Sequence, residues 1–134
     1  MQVLAIVMIA CNLWASQYAS GVMPRVIATR QAGLTAYNLP AELPEVDGYA
    51  AAVLCAEIGN IVYLRPQNTV KWEKFLIVDC SGDDKTTSWM RRNGIPYEIG
   101  YESVLRWSKR LDRNLVGRGI KIDIGIERLQ YEFE

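Results

Sequence analysis

An acidic side chain at the end of a short apolar run is the strongest candidate for chemistry in this chain. Phe75 to Val78 is apolar and partly β-branched, and it is too short for a helix, which predicts a buried strand. Asp79 ends the strand, and Ser81-Gly82 with Asp83 and Asp84 predict a polar turn after it. A carboxylate in such a place can act as a catalytic acid or bind a ligand, and it can equally be an ordinary turn residue.

The composition excludes several kinds of chemistry. The 134 residues contain no histidine, which rules out Ser-His-Asp and Cys-His nucleophiles and histidine-rich zinc sites. Acid–base chemistry must therefore come from carboxylates, Lys, Tyr or Cys. Fifteen basic residues offset fifteen acidic ones, so charge gives no argument for binding nucleic acid or an anionic membrane surface. No metal or cofactor is predicted, because Asp79, Asp83 and Asp84 lack the Gly-punctuated spacing of a calcium loop.

The first residues have the length and apolar character of a secretion signal. Val3 to Cys11 is continuously apolar but too short to cross a bilayer, and small residues from Ala15 to Gly21 offer cleavage points. We therefore predict a signal peptide over residues 1–15, or an uncleaved apolar leader, followed by one domain over residues 16–134. One alternative is a buried first strand or helix. Another is lipid anchoring at Cys11, since Met8 to Cys11 partly resembles a bacterial lipobox.

Removal of the leader would also remove Cys11, which leaves an even pair of cysteines in an exported protein. Cys55 and Cys80 both end apolar stretches, so a disulfide between them would join two neighbouring strand ends. The alternative is two buried free thiols in a cytosolic protein.

The remaining chain predicts short strands separated by turns, with one helix. Residues 31–48 hold too many Pro, Gly, Asn and Asp residues for a regular element, which predicts a loop that crosses a barrel mouth or binds a ligand. Tyr101 to Leu111 places Val104 and Trp107 on one helical face, which predicts an amphipathic helix. Apolar or alternating runs predict strands at Val26 to Ala28, Tyr49 to Cys55, Ile61 to Arg65, Pro96 to Gly100 and Lys121 to Arg128.

The order of these elements resembles the double-psi β-barrel group that includes rare lipoprotein A, barwin and the expansin catalytic-type domain. The resemblance spans roughly Tyr18 to Ile126. It rests on the opening Tyr18-Ala-Ser-Gly, on Glu57-Ile58-Gly59-Asn60, on Phe75 to Cys80, on Glu98-Ile99-Gly100-Tyr101 and on the final strand from Gly119 to Ile126. It implies an all-β fold with small α content, a six-stranded double-psi β-barrel carrying one short helix.

The resemblance also implies which residues act. Asp79 matches the acid that is functional in the family, and Glu98 stands where the family has the Asp of a "DLS" step. Asp123 is similar to an acid in the last strand of the related lytic transglycosylase barrel. Glu98, Asp83 or Asp123 would supply a second carboxylate, and the candidate platforms for sugar stacking are Tyr97, Tyr101, Trp89 and Trp72. The chain departs from the family in lacking histidine and in lacking Arg-Gly-Pro after Asp79.

The apolar leader and the cysteine pair predict a secreted protein, for which a monomer is expected. The resemblance implies a cell-envelope protein that binds peptidoglycan or another wall polysaccharide and has the residues for carboxylate-dependent cleavage. Asp79 would bond to the sugar or act as the general acid. The alternative is a non-catalytic interaction or inhibitor module on the same fold. Half of an aspartic protease is disfavoured, because Asp79-Cys80-Ser81-Gly82 has one residue too many for the Asp-Thr/Ser-Gly turn.

Overall fold

The computed structural model describes residues 2–29, 42–81 and 83–131. Within these ranges the chain forms six strands, three α-helices and a 3₁₀ turn at Cys55–Glu57. The strands are β1 (Gln2–Gln17), β2 (Gly48–Ala52), β3 (Ile61–Pro66), β4 (Glu73–Cys80), β5 (Tyr97–Ile99) and β6 (Ile120–Tyr131). The helices are α1 (Val22–Thr29), α2 (Asp84–Arg92) and α3 (Tyr101–Leu111). Residues 30–41 of the predicted long loop and Gly82 of the predicted turn lie outside the described residues.

The six strands form one closed sheet, in the order β1, β5, β2, β4, β3, β6 and back to β1. Each strand therefore pairs with two neighbours. The β1–β5 and β2–β4 pairs are parallel, and the other four are antiparallel. The predictions of a mostly β fold and of six strands are confirmed.

The helix content exceeds the single short helix that was predicted. The predicted helix over Tyr101 to Leu111 is confirmed at both ends. The predicted strand at Val26 to Ala28 is wrong, because these residues lie in α1. Met23 and Val26 are buried and Ile27 is partly buried, so the apolar positions follow a helical spacing of three and four residues. Pro24 is tolerated because it lies in the first turn of the helix.

The main core fills the closed sheet and is mostly aliphatic. Phe75 and Trp107 pack edge to face inside it, with ring centroids 5.9 Å apart. A smaller apolar cluster lies outside the sheet beneath α1 and contains Met23, Leu76 and Val78. β4 therefore packs on both faces, which explains why its run from Phe75 to Val78 has no polar residue.

A buried carboxylate ties α3 to the start of β4. Glu73 is 2% exposed, and it accepts hydrogen bonds from Arg106, Arg110 and the indole nitrogen of Trp107. The Arg106 Nε and Arg110 Nη1 distances to Glu73 are 2.9 and 3.0 Å. Three donor groups satisfy this carboxylate, which is the condition under which a buried charge is tolerated.

The apolar segment predicted as a signal peptide forms most of β1. Its pairing with β6 runs from Gln2 opposite Tyr131 to Ala15 opposite Ile120, with irregularities around Ala10. Ala15 is fully buried, whereas Leu4 and Ile9 are more than half exposed. The segment is thus a strand of the sheet, as the alternative prediction of a first strand expects. Cleavage of a signal peptide stays a prediction.

Candidate functional site

Four residues on four adjacent strands form a row across one face of the sheet. Ser16 pairs with Glu98, Glu98 pairs with Ala51, and Ala51 pairs with Asp79. Directly paired residues point their side chains to the same face, so all four share it. Because adjacent strands lie about 4.8 Å apart, the backbones of Glu98 and Asp79 are roughly 10 Å apart. Ala51 between them has only a methyl group, which leaves space above the sheet.

Asp79 joins this row because β4 has one more residue than β2 at this point. Ala50 pairs with Ile77, and the next residue, Ala51, pairs with Asp79, so Val78 is the extra residue. Strict alternation would turn Asp79 to the same side as Phe75 and Ile77, which lie in the main core. The irregularity moves the carboxylate out of the core and onto the face of the row.

Two donors hold the Asp79 carboxylate. The Tyr18 hydroxyl donates to Oδ2 at 2.9 Å, and the backbone nitrogen of Cys80 donates to Oδ1 at 2.8 Å. Burial, the charge of Asp79 and this hydrogen bond raise the pKa of Tyr18 far above its usual value, so its hydroxyl stays protonated and donates. The predicted disulfide is confirmed: Cys55 and Cys80 are bonded, with their Cα atoms 4.9 Å apart. It fixes the residue next to Asp79.

Glu98 has the most useful protonation behaviour in the site. Burial, followed by the negative charge of Asp79, raises the pKa of Glu98 from 4.5 to about 7. The Ser16 hydroxyl opposes this shift as the smallest of the three effects. Ser16 lies close to the carboxyl without a well-formed hydrogen bond, since no partner satisfies its Oγ among the described residues. Near neutral pH a large share of Glu98 carries a proton that it can donate.

A small cavity of about 150 Å³ opens above the row. It has space for several water molecules or part of a sugar. Its lining includes Glu98 and Tyr18 and does not include Asp79. The structure therefore makes Glu98, rather than Asp79, the acid that faces the cavity. The other lining residues are Ala51, Ala52, Cys80, Ser81, Thr86 and Met90.

Asp123 lies in β6, and it is near the start of β4, whereas Asp79 is near the end of β4. Its carboxylate forms an ion pair with Arg65 at 3.0 Å, and the guanidinium of Arg65 covers the ring of Trp72 at 4.0 Å. Leu64, next to Arg65, pairs with Glu73 at the start of β4. Asp79 is near the other end of that strand, roughly 20 Å further at about 3.3 Å per residue. Asp123 and Trp72 are thus not brought together with Glu98.

Asp83, Tyr97 and Tyr101 also lie outside the cavity lining. Asp83 begins α2 as its N-cap, accepting from the Thr86 nitrogen at 2.7 Å, and the Thr86 hydrogen bonds lower the pKa of Asp83. Tyr97 is buried in the core, and its hydroxyl donates to Glu57 at 2.9 Å. Tyr101 is the first residue of α3 and is half-buried.

Trp89 is the predicted stacking residue that the structure leaves accessible. Trp89 is 45% exposed and lines a groove of about 430 Å³ between α2 and β1, which Trp14 also lines. Trp14, Ser16 and Tyr18 were not predicted from the sequence as site residues. The first two lie at or beside the predicted cleavage point, although alternation of Trp14 and Ser16 around Ala15 was a usable strand signal.

No helix in the described ranges has both the length and the apolar character needed to cross a membrane.

Comparisons with known proteins do not assign the chain. No protein-family model matches the chain, and no curated protein matches it either.

Proposed function

We propose that this protein is a cell-envelope protein with a double-psi β-barrel fold that binds a wall polysaccharide, such as peptidoglycan, and cleaves it with Glu98 as general acid. The observation that carries the proposal is the row of Glu98, Ala51 and Asp79 beneath an open cavity. Burial, and after it the charge of Asp79, raises the pKa of Glu98 to about 7. Two carboxyl groups with unlike protonation behaviour are the recurrent device for cleaving glycosidic bonds.

The closed order of six strands with two parallel pairs supports the double-psi topology. The Cys55–Cys80 disulfide is consistent with an oxidising compartment outside the cytoplasm. The exposed indoles of Trp14 and Trp89, near the acid, support a sugar ligand.

In the proposed reaction, protonated Glu98 gives its proton to the glycosidic oxygen as the bond to the anomeric carbon breaks. The resulting carboxylate then takes a proton from the hydroxyl that attacks this carbon. That hydroxyl belongs to water in hydrolysis or to the same sugar in a lytic transglycosylase-like reaction. Asp79 acts as a positioning residue, because its charge adds to the effect of burial in keeping the proton on Glu98 and because it does not line the cavity.

The test compares purified cell walls incubated with the natural protein and with Glu98→Gln. We expect the natural protein to release soluble fragments and Glu98→Gln to release at least about a hundredfold less, within the usual contribution of a general acid. Both proteins should pellet with the walls. Glu102→Gln, which changes an exposed carboxyl in α3, is the matched control and should keep full activity.

The two possible failures have different meanings. Release of equal amounts by Glu98→Gln would overturn Glu98 as the acid. If neither protein releases fragments but both pellet, the protein is the non-catalytic binding module. The small size of the cavity would then explain why it does not cleave the polysaccharide. If neither pellets with any wall preparation, the proposed polysaccharide ligand is wrong.

A further inference from the structure

A groove lined by two exposed tryptophans runs beside the Glu98 cavity. Trp14 of β1 and Trp89 of α2 are 42% and 45% exposed, in a space of about 430 Å³. Exposed indoles in a groove are unusual, since tryptophan normally buries its ring. The remaining lining residues are Ala15, Ser16, Gln17, Asn93, Ile95, Gly117, Arg118 and Gly119.

The indole of Trp14 is held in its position. A Cβ atom on Gly119 would lie only 3.1 Å from Cε3 of Trp14, so the ring uses space that a side chain there would take. The Lys121 ammonium lies 5.2 Å from the centre of the same ring. The ring is therefore presented to the groove in a defined orientation, which suits stacking on a flat ligand.

Ser16 joins the groove to the acid site. It lines the groove and pairs in the sheet with Glu98, which lines the neighbouring cavity. Its Oγ is buried, and no hydrogen-bond partner satisfies it among the residues that the structure describes. The groove and the cavity are therefore adjacent across the β1–β5 pair.

The charge of the groove favours an anionic ligand. Arg118 is the charged residue in the lining, and the Lys121 ammonium lies over the ring of Trp14, which also lines the groove. None of the described lining residues carries a carboxylate. A sugar with a carboxylate would stack on an indole and pair with the guanidinium of Arg118, for which a planar acid is the favoured partner.

We propose that this groove binds the sugar units that continue from the one at Glu98, and that it selects units bearing a carboxylate. The inference rests on the proposed function, since it extends the same glycan chain. It adds a second subsite and a substrate class, namely acidic polysaccharides.

Calorimetric titration of the folded protein with matched pairs of tetrasaccharides tests the proposal. The probes are uronate-containing tetrasaccharides from polygalacturonate, polymannuronate and hyaluronan, each compared with its methyl ester. We expect at least one uronate to bind about tenfold or more tighter than its ester, which corresponds to about 1.4 kcal/mol. Cell-wall pelleting is measured alongside.

Substitutions assign the binding to the groove. Trp89→Ala and Trp14→Ala should each weaken both members of the bound pair about tenfold, as for buried aromatic anchors in other interfaces. Arg118→Gln should weaken only the uronate, about tenfold, and leave the ester unchanged. Leu105→Ala and Arg128→Gln, at exposed positions outside the groove, are the matched controls and should bind as the natural protein does. Thermal melting checks that each variant folds, and Trp89→Ala, on a helix surface, suffices if Trp14→Ala does not fold.

Equal binding of every uronate and its ester, or no binding of any, would overturn the proposed selection for a carboxylate. If the protein still pellets with cell walls, the proposed function is not affected by that result. Binding that survives loss of both tryptophans would place the ligand elsewhere. If walls do not pellet either, the proposed function fails together with this inference.

Discussion

Glu98 is a residue whose proton affinity depends on the folded state. Its pKa is raised from 4.5 to about 7 first by burial and then by the charge of Asp79. The folded protein therefore binds this proton more tightly than the unfolded chain does. The stability gained from the protonated carboxyl is fully present below about pH 4.5 and is lost as the pH rises through about 7.

Glu98→Gln should remove this dependence, because glutamine resembles the protonated acid. At pH 8 we expect the variant to be more stable than the natural protein by about 1 to 2 kcal/mol, a value reduced for the partial exposure of the side chain. At pH 4 the two should be equally stable. Urea unfolding at both pH values measures this difference. A constant difference across the range would show that Glu98 has an ordinary pKa.

Asp79→Asn tests the coupling between the two acids directly. Removal of the charge should lower the pKa of Glu98 below about 7 and leave it above 4.5, since burial, the larger cause, remains. NMR titration of ¹³C-labelled glutamate side chains measures this pKa without relying on activity. The alkaline limit of any cleavage activity should move to lower pH by the same amount. An unchanged Glu98 pKa would remove Asp79 from its positioning role.

Among the elements, β4 carries the largest share of the architecture. Its first residue, Glu73, anchors α3, its middle packs on both faces, and its end delivers Asp79 and Cys80 to the site. One strand thus couples the attachment of a helix to the geometry of the candidate acids. The extra residue at Val78 lets the middle of β4 pack in the core while its end presents Asp79 on the outer face, because it changes the face on which the last residues lie.

Replacement of Glu73 should cost more than replacement of other carboxylates. In Glu73→Ala the Trp107 nitrogen and two guanidinium groups lose their shared acceptor, and we expect about 3 kcal/mol of destabilisation. Glu73→Gln should cost less, since an acceptor for Trp107 remains. Urea unfolding of both variants, with Glu102→Gln as the exposed control, provides the comparison. A cost for Glu73→Ala equal to that of the control would mean that this cluster does not hold α3.

At the scale of the whole molecule, local patterns predicted elements and could not predict the site. The helix from Tyr101 to Leu111 follows from the spacing of its own apolar residues, and the strand before Asp79 from its own apolar run. The row of Ser16, Glu98, Ala51 and Asp79 depends on register between strands far apart in sequence. No local pattern encodes that register.

Ambiguous segments account for the remaining differences. The run from Val26 to Ala28 is too short to distinguish a strand from a helix, and the buried face that includes Met23 decides in favour of the helix. Tyr97 lies in the core because it is two residues before Ile99 and shares the inner face of β5 with it. The residue types alone do not show which face of this strand points inward.

The first strand gives the molecule its closure, and its removal is the most informative whole-molecule change. A variant lacking residues 1–15 would lose every residue of β1 that pairs with β6, and the sheet would open at that seam. It would also lose Trp14 from the groove. Because open strand edges and exposed core residues favour association, we expect this variant to melt at a much lower temperature and to aggregate.

The comparison requires the N-terminus of the exported protein, determined by mass spectrometry, together with melting curves of both forms. An exported protein that retains Trp14 and melts as the full chain does would agree with the role of β1 in the closed sheet. If instead the exported protein begins at residue 16 and is as stable as the full chain, the signal-peptide prediction holds. The strand would then be dispensable to the fold, and the groove proposed for acidic sugars would lose one of its two tryptophans.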